Sequence, residues 1–158
     1  LLFIKEQKNL INQTVGCCRP IALAVGVSMA DAWTVSEFPS RDVNVSINEL
    51  CRMFRTTQKE KLMNENEFSL YESLPNQIEI YRGERSRGDR KGLSWTLDRN
   101  IAEWFAKRFQ NNGYVKSGIA YKEDILAYFD SRNEKEIVIS KVHNVSVLDT
   151  SVEASNHF

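Results

Sequence analysis

Three short clusters carry side chains suited to chemistry, and they come in a fixed order along the chain. Tyr81-Arg82-Gly83 closes an alternating segment, Ser94-Trp95-Thr96 sets two hydroxyls on either side of a bulky ring, and Glu134-Lys135-Glu136 sets two carboxylates on either side of a lysine. A strand points alternate residues to one face, so Ser94 and Thr96 share a face. Asp98 follows as an N-cap residue and brings a helix start next to those hydroxyls, which together make a polar floor for a ligand. Charge suggests the kind of ligand. Between Arg82 and Arg108, eight basic residues (Arg82, Arg85, Arg87, Arg90, Lys91, Arg99, Lys107, Arg108) outnumber four acidic ones (Glu84, Asp89, Asp98, Glu103), in a chain whose 21 basic and 21 acidic residues balance as a whole. Such a local positive field suits a phosphate-bearing ligand; taken alone it equally describes a solvated face. Each cluster alone also has an ordinary explanation: Arg82 as an edge-strand charge, Gly83 as a turn residue, the two glutamates as a solvated strand start.

The elements that must position these clusters point to an α+β chain forming a single domain over 1–158, mainly helical over 1–75 and a β core over 76–158. Helical segments are expected at 1–13, at 20–33 (a buried helix opening on Pro20), at 47–63 (capped at 46–48) and at 67–74, ended by Pro75. Residues 36–45 read as loop. Strands are expected at 77–82, through Ser94, at 114–121, 125–129, 136–140 and 142–148. Between them lie a charged loop at 84–91, a helix at 99–109, a helix stop at Asn111-Asn112-Gly113 and a turn at 131–133. The 99–109 helix presents Ile101, Phe105 and Phe109 at helical spacing, with Ala102 and Ala106 beside them.

Taken together, the three clusters resemble the arginine–serine–glutamate class of mono-ADP-ribosyltransferases, the toxin-like family that splits NAD and transfers ADP-ribose. The order, the strand placements and the glutamate pair followed by Ile137-Val138-Ile139 carry the likeness, over roughly 77–140. The resemblance implies an ADP-ribosyltransferase-like split mixed β core behind an N-terminal helical layer, with NAD as co-substrate and no metal. Breaking the nicotinamide–ribose bond builds positive charge on the ribose, which a fixed carboxylate stabilises. By resemblance that carboxylate is Glu136, oriented by Ser94, with Trp95 and Thr96 on the same cofactor-binding strand. Arg82 grips the NAD phosphates with its permanently charged fork, and Gly83 lets the ligand approach the backbone. Glu134 handles a guanidinium acceptor, orienting it and helping remove its proton. The turn with Asp130 and Arg132 would then recognise the acceptor, with Tyr128 adding an aromatic surface and Phe129 reading as core.

The acceptor follows as an arginine on a target protein, or as RNA or DNA bases contacted by the basic loop. An NAD glycohydrolase and a silent binding module that keeps the fold are further alternatives. An enzyme of this kind acts as a toxin or effector and calls for a cognate inhibitor, with the apolar stretch Leu1 to Ile4 as one candidate contact. No GxGxxG follows a strand, so a Rossmann site is not expected. Cys17, Cys18 and Cys51 show neither metal nor disulfide spacing, and a reducing, cytoplasmic setting is the simpler inference. The apolar 20–33 run is too short and too interrupted to insert in a membrane.

Overall fold

The three longer described helices start at a residue whose side chain accepts from one free backbone N–H. The computed structural model describes residues 29–31, 33–34, 46–84, 92–108 and 113–148. Residues 29–31 and 33–34 are helical, the end of the stretch expected at 20–33; the remainder of that stretch, the 1–13 segment, the 36–45 loop and residues 85–91 lie outside the described residues. Helix α1 (Ile47–Thr56) opens on Ser46, whose Oγ accepts from the Glu49 N–H at 3.2 Å. The expectation of a helix running on to Met63 does not hold. Thr57 is extended, and the hydroxyls of Thr56 and Thr57 donate back to the Met53 carbonyl at 3.2 and 2.9 Å. The two hydroxyls share the Met53 carbonyl with the Thr57 N–H at the helix end, and the chain resumes as the single turn α2 (Lys59–Leu62). Helix α3 (Glu65–Ser73) starts earlier than expected because Asn64 and Glu67 form a reciprocal capping box, with bonds of 2.9 and 3.0 Å.

The strands are β1 (Gln77–Glu84), β2 (Ser94–Thr96), β3 (Tyr114–Tyr121), β4 (Ile125–Phe129), β5 (Glu136–Ile139) and β6 (His143–Leu148), with helix α4 (Arg99–Lys107) between β2 and β3. They form one six-stranded sheet in the order β4-β5-β2-β1-β3-β6. Every neighbouring pair is antiparallel, so the expectation of a mixed sheet is corrected. The one helical crossover, α4, carries the chain from β2 over β1 to β3, and β1 lies between these two, opposed to both. The sheet also bends. A three-residue 3₁₀ turn (Lys122–Asp124) joins β3 to β4, and a chain of that length spans at most about 14 Å. Flat, β3 and β4 would lie about 19 Å apart. The sheet therefore curves, its three-stranded halves β4-β5-β2 and β1-β3-β6 meeting through the single partner pair Tyr81 and Thr96.

The larger core joins Met29, Trp33 and the α1–α3 side chains Phe54, Leu62 and Tyr71 to Ile80, Trp95 and the buried residues of β4 and β5. A smaller one joins Ala102 and Ala106 of α4 to Val115, with Tyr81 and Leu148 against it. The alanines, rather than Ile101 and Phe105, therefore make the closest contact with the sheet. The reason lies in β1: a Cβ on Gly83 would sit 2.6 Å from the Ala106 nitrogen and nearer still to the Ala102 carbonyl oxygen. Glycine under alanine lets the helix backbone rest on the strand. Among the described residues no helix is long and apolar enough to cross a membrane.

Candidate functional site

Strand register assembles the site. Thr96 pairs with Glu136 across β2 and β5, and Ser94 pairs with Val138 one step along the same face. Ser94, Thr96 and Glu136 thus share a face, as the alternation in the sequence implies. Glu136 is 6% exposed, and its Oε1 accepts a hydrogen bond from Trp33 Nε1 at 2.9 Å. Burial pushes its carboxyl above the ordinary carboxylate range, and the nearby Glu134 charge adds to that. Ser94 and Trp33 hydrogen bonding and the Arg132 charge pull the other way and favour the ionised form. A carboxylate held this way is desolvated yet supplied with donors, the arrangement that makes an acid group reactive.

Beside it the second glutamate meets a cation. Arg132 Nη2 lies 2.8 Å from Glu134 Oε2 and 3.8 Å from Glu136 Oε2. The segment that brings the two carboxylates to one guanidinium is locally strained. Asn133 and Lys135 have φ of 55° and 46°, in the left-handed region where a side chain is disfavoured. Several bonds hold it there. Asp130 Oδ1 accepts from the Lys135 N–H at 3.0 Å, and Asp130 itself donates its N–H to Glu67 Oε1 at 2.8 Å. Thr96 Oγ1 donates to the Glu134 carbonyl at 2.7 Å, and the Leu97 N–H donates to the Lys135 carbonyl at 3.1 Å. Lys135 Nζ reaches Asp98, the N-cap of α4, at 3.0 Å. Thr96 therefore positions the glutamate turn, and Asp130 shapes it.

Arg82 stands apart. Its neighbour Tyr81 pairs with Thr96, so alternation starts Arg82 from the opposite face, together with Glu84 and its β3 partner Lys116. Buried Glu84 gathers that group, with Arg82 Nε at 3.3 Å, Lys116 Nζ at 2.7 Å and the Tyr114 hydroxyl at 2.7 Å. The Arg82 guanidinium then turns into the gap where β1 and β2 part and donates Nη1 to the Ser94 carbonyl. Gly92 makes room for it, since a Cβ there would lie 2.6 Å from Arg82 Cζ. Arg82 thus ties β1 to the backbone of the residue that faces Glu136.

The remaining expected site residues sit elsewhere. Gly83 has its open face covered by α4, so its missing side chain serves helix packing rather than ligand approach. Trp95 is buried in the core. Tyr128 is buried as well, like Phe129, and offers no aromatic surface; burial first, then the Asp130 charge, pushes its hydroxyl up to about 12. Two contributors escaped sequence reading. Trp33 lies 103 positions from its carboxylate partner, and no local pattern announces such a contact. Lys116 joins Arg82 only through strand register, and the alternation of β3 was its one available signal. No family model matches the chain, and neither the curated proteins nor the solved structures contain a match to it.

Proposed function

We propose that this chain is an NAD-dependent mono-ADP-ribosyltransferase with an ADP-ribosyltransferase-like fold. One observation carries the reading: the buried carboxylate of Glu136, fixed by Trp33 and Ser94, stands beside a second carboxylate that already accepts a guanidinium. NAD supplies an activated ribose whose bond to nicotinamide breaks with build-up of positive charge. The chain's residues fit that demand. Glu136 offers a desolvated negative charge that needs no reorganisation during the reaction. Its Oε1 is anchored by Trp33, leaving Oε2 toward the acceptor side. Arg82, whose guanidinium reaches the Ser94 carbonyl, supplies positive charge for the phosphates and braces that backbone. Glu134 holds a guanidinium nitrogen and receives its proton.

A guanidinium acceptor on a protein is favoured because Glu134 binds that chemical group within the chain itself. Such an enzyme acts as a toxin or effector in a cytoplasmic setting and is restrained by a cognate inhibitor. The test uses NAD labelled on its adenylate phosphate. Chain and Glu136→Gln are each incubated with a cell lysate, after which protein, RNA and DNA are recovered separately. Label in protein from the unaltered chain alone is the expected result. Label in nucleic acid moves the acceptor to bases, free ADP-ribose alone makes the chain a glycohydrolase, and untouched NAD rejects the reading.

A further inference from the structure

The same glutamates point to an acceptor that is already in place. We propose that Arg132 is the chain's own first acceptor, and that ADP-ribose is transferred in cis to the guanidinium held by Glu134 and Glu136. The proposal rests on the transferase reading above and specifies its first substrate.

The geometry is that of a poised nucleophile. Arg132 Nη2 is within hydrogen-bond reach of Glu134 Oε2, at 2.8 Å, and stands 3.8 Å from Oε2 of Glu136. The other oxygen of Glu136 is bound by Trp33. The side chain remains 41% exposed, so it is open to reagents as well as held. Its backbone is not a loose loop. The left-handed Asn133 and Lys135 and the Asp130 bonds to Lys135 and Glu67 fix the turn that presents it. An exposed ion pair adds little to stability, so fold stability alone is a weak reason to build so strained a turn around Arg132.

The step balances without a further reagent. The carbon–nitrogen bond between ribose C1′ and nicotinamide breaks, and its electron pair leaves on nicotinamide, which departs neutral. A bond forms from an Arg132 Nη to C1′ while Glu136 offsets the charge on the ribose. The proton released from the guanidinium passes to Glu134 Oε2 and then to solvent. The product is ADP-ribosyl-Arg132, which occupies the place an outside guanidinium would need.

Three measurements test this. The purified chain is incubated with adenylate-labelled NAD and no other protein, and peptides are mapped. Label on the Arg132 peptide, at a fractional rate unchanged by diluting the chain, is expected. Arg132→Lys, verified as folded by its thermal unfolding midpoint, should carry none, and Glu136→Gln should carry none. The second measurement counts nicotinamide released by the unaltered chain with agmatine, a free guanidine. The third needs no NAD: agmatine binding by calorimetry should be at least about tenfold tighter for Arg132→Ala than for the unaltered chain, the worth of one charge-assisted pair. That binding should vanish when Glu134→Gln is added. Label on any other side chain, label that persists in Glu136→Gln, or equal agmatine binding by the two chains overturns the proposal. Nicotinamide release with an unlabelled Arg132 overturns it while leaving the transferase reading standing. No nicotinamide from any chain removes that reading, and the self-acceptor with it.

Discussion

Replacing Gly83 by alanine separates two uses of the same glycine. If Gly83 exists so that a ligand can approach, Gly83→Ala folds normally and loses NAD binding. If it exists so that α4 can rest on β1, the substitution acts on the fold. The added Cβ would meet the Ala106 nitrogen at 2.6 Å, the Phe105 Cβ at 2.9 Å and, closer than either, the Ala102 carbonyl oxygen. Two of these are helix backbone atoms, which cannot swing aside as a side chain would. Overpacking of this kind costs about 3 kcal/mol, the upper part of its usual range. The lower entropy of an unfolded chain with alanine returns about 0.4–1 kcal/mol. A net loss of roughly 2–3 kcal/mol lowers the urea midpoint by roughly 1–2 M and the melting temperature by roughly 4–12 °C. Gly118→Ala is the internal comparison, since its Cβ would meet chiefly the movable Val142 Cγ1. Urea unfolding followed by tryptophan fluorescence measures both. A Gly83→Ala chain that is as stable as Gly118→Ala refutes the packing argument and returns Gly83 to the ligand.

Three further outcomes follow from the site. Because burial raises the Glu136 carboxyl in the fold, the folded chain holds its proton more tightly than the unfolded one, and stability falls as pH rises from the ordinary carboxylate range through the raised value. Glu136→Gln should therefore abolish transfer, and its stability relative to the unaltered chain should rise with pH through that window, read from urea unfolding across pH. Trp33→Phe keeps an aromatic ring against Phe54 but removes the 2.9 Å donor to Glu136, so the acidic limb of the NAD-cleavage pH profile should move to higher pH; an unmoved limb would deny Trp33 its positioning role. Glu67→Ala removes both the α3 capping bond and the bond to the Asp130 N–H, and should cost about 2–3 kcal/mol in urea unfolding while raising KM for agmatine; a loss of activity without any loss of stability would contradict it.

What was legible in the sequence follows the range of the forces involved. The β-branched alternation of β3 to β6 and the Asp98 cap are local, and the structure places them within a residue or so of expectation; Asp98 accepts from the Asn100 N–H at 3.0 Å. The shared face of Ser94 and Thr96 also follows from strand period alone. The Asn64-x-x-Glu67 box was equally readable and marks the true start of α3. The break after Thr56 was harder, because Leu62 continues the apolar spacing of α1 although Thr57 is extended and ends it. Trp95 and Tyr128 are residue types at home both in a binding surface and in a core, and only tertiary packing decides between them. The Trp33–Glu136 and Arg82–Glu84–Lys116 contacts are products of topology, invisible to any window of sequence.

The bond from Trp33 to Glu136 has a consequence for the order in which the chain becomes competent. It closes a loop of 103 residues, and the β2–β5 ladder that presents Ser94 to Glu136 joins segments that are also far apart in sequence. Loop-closure entropy must be met before such contacts return anything, so they are expected to form late. A nascent or half-folded chain would hold the local helices α1 and α3 well before any carboxylate is buried beside its donors. Chemistry would then be withheld until the last strands dock, and a partner that captured the chain before docking would silence it without ever touching the finished site.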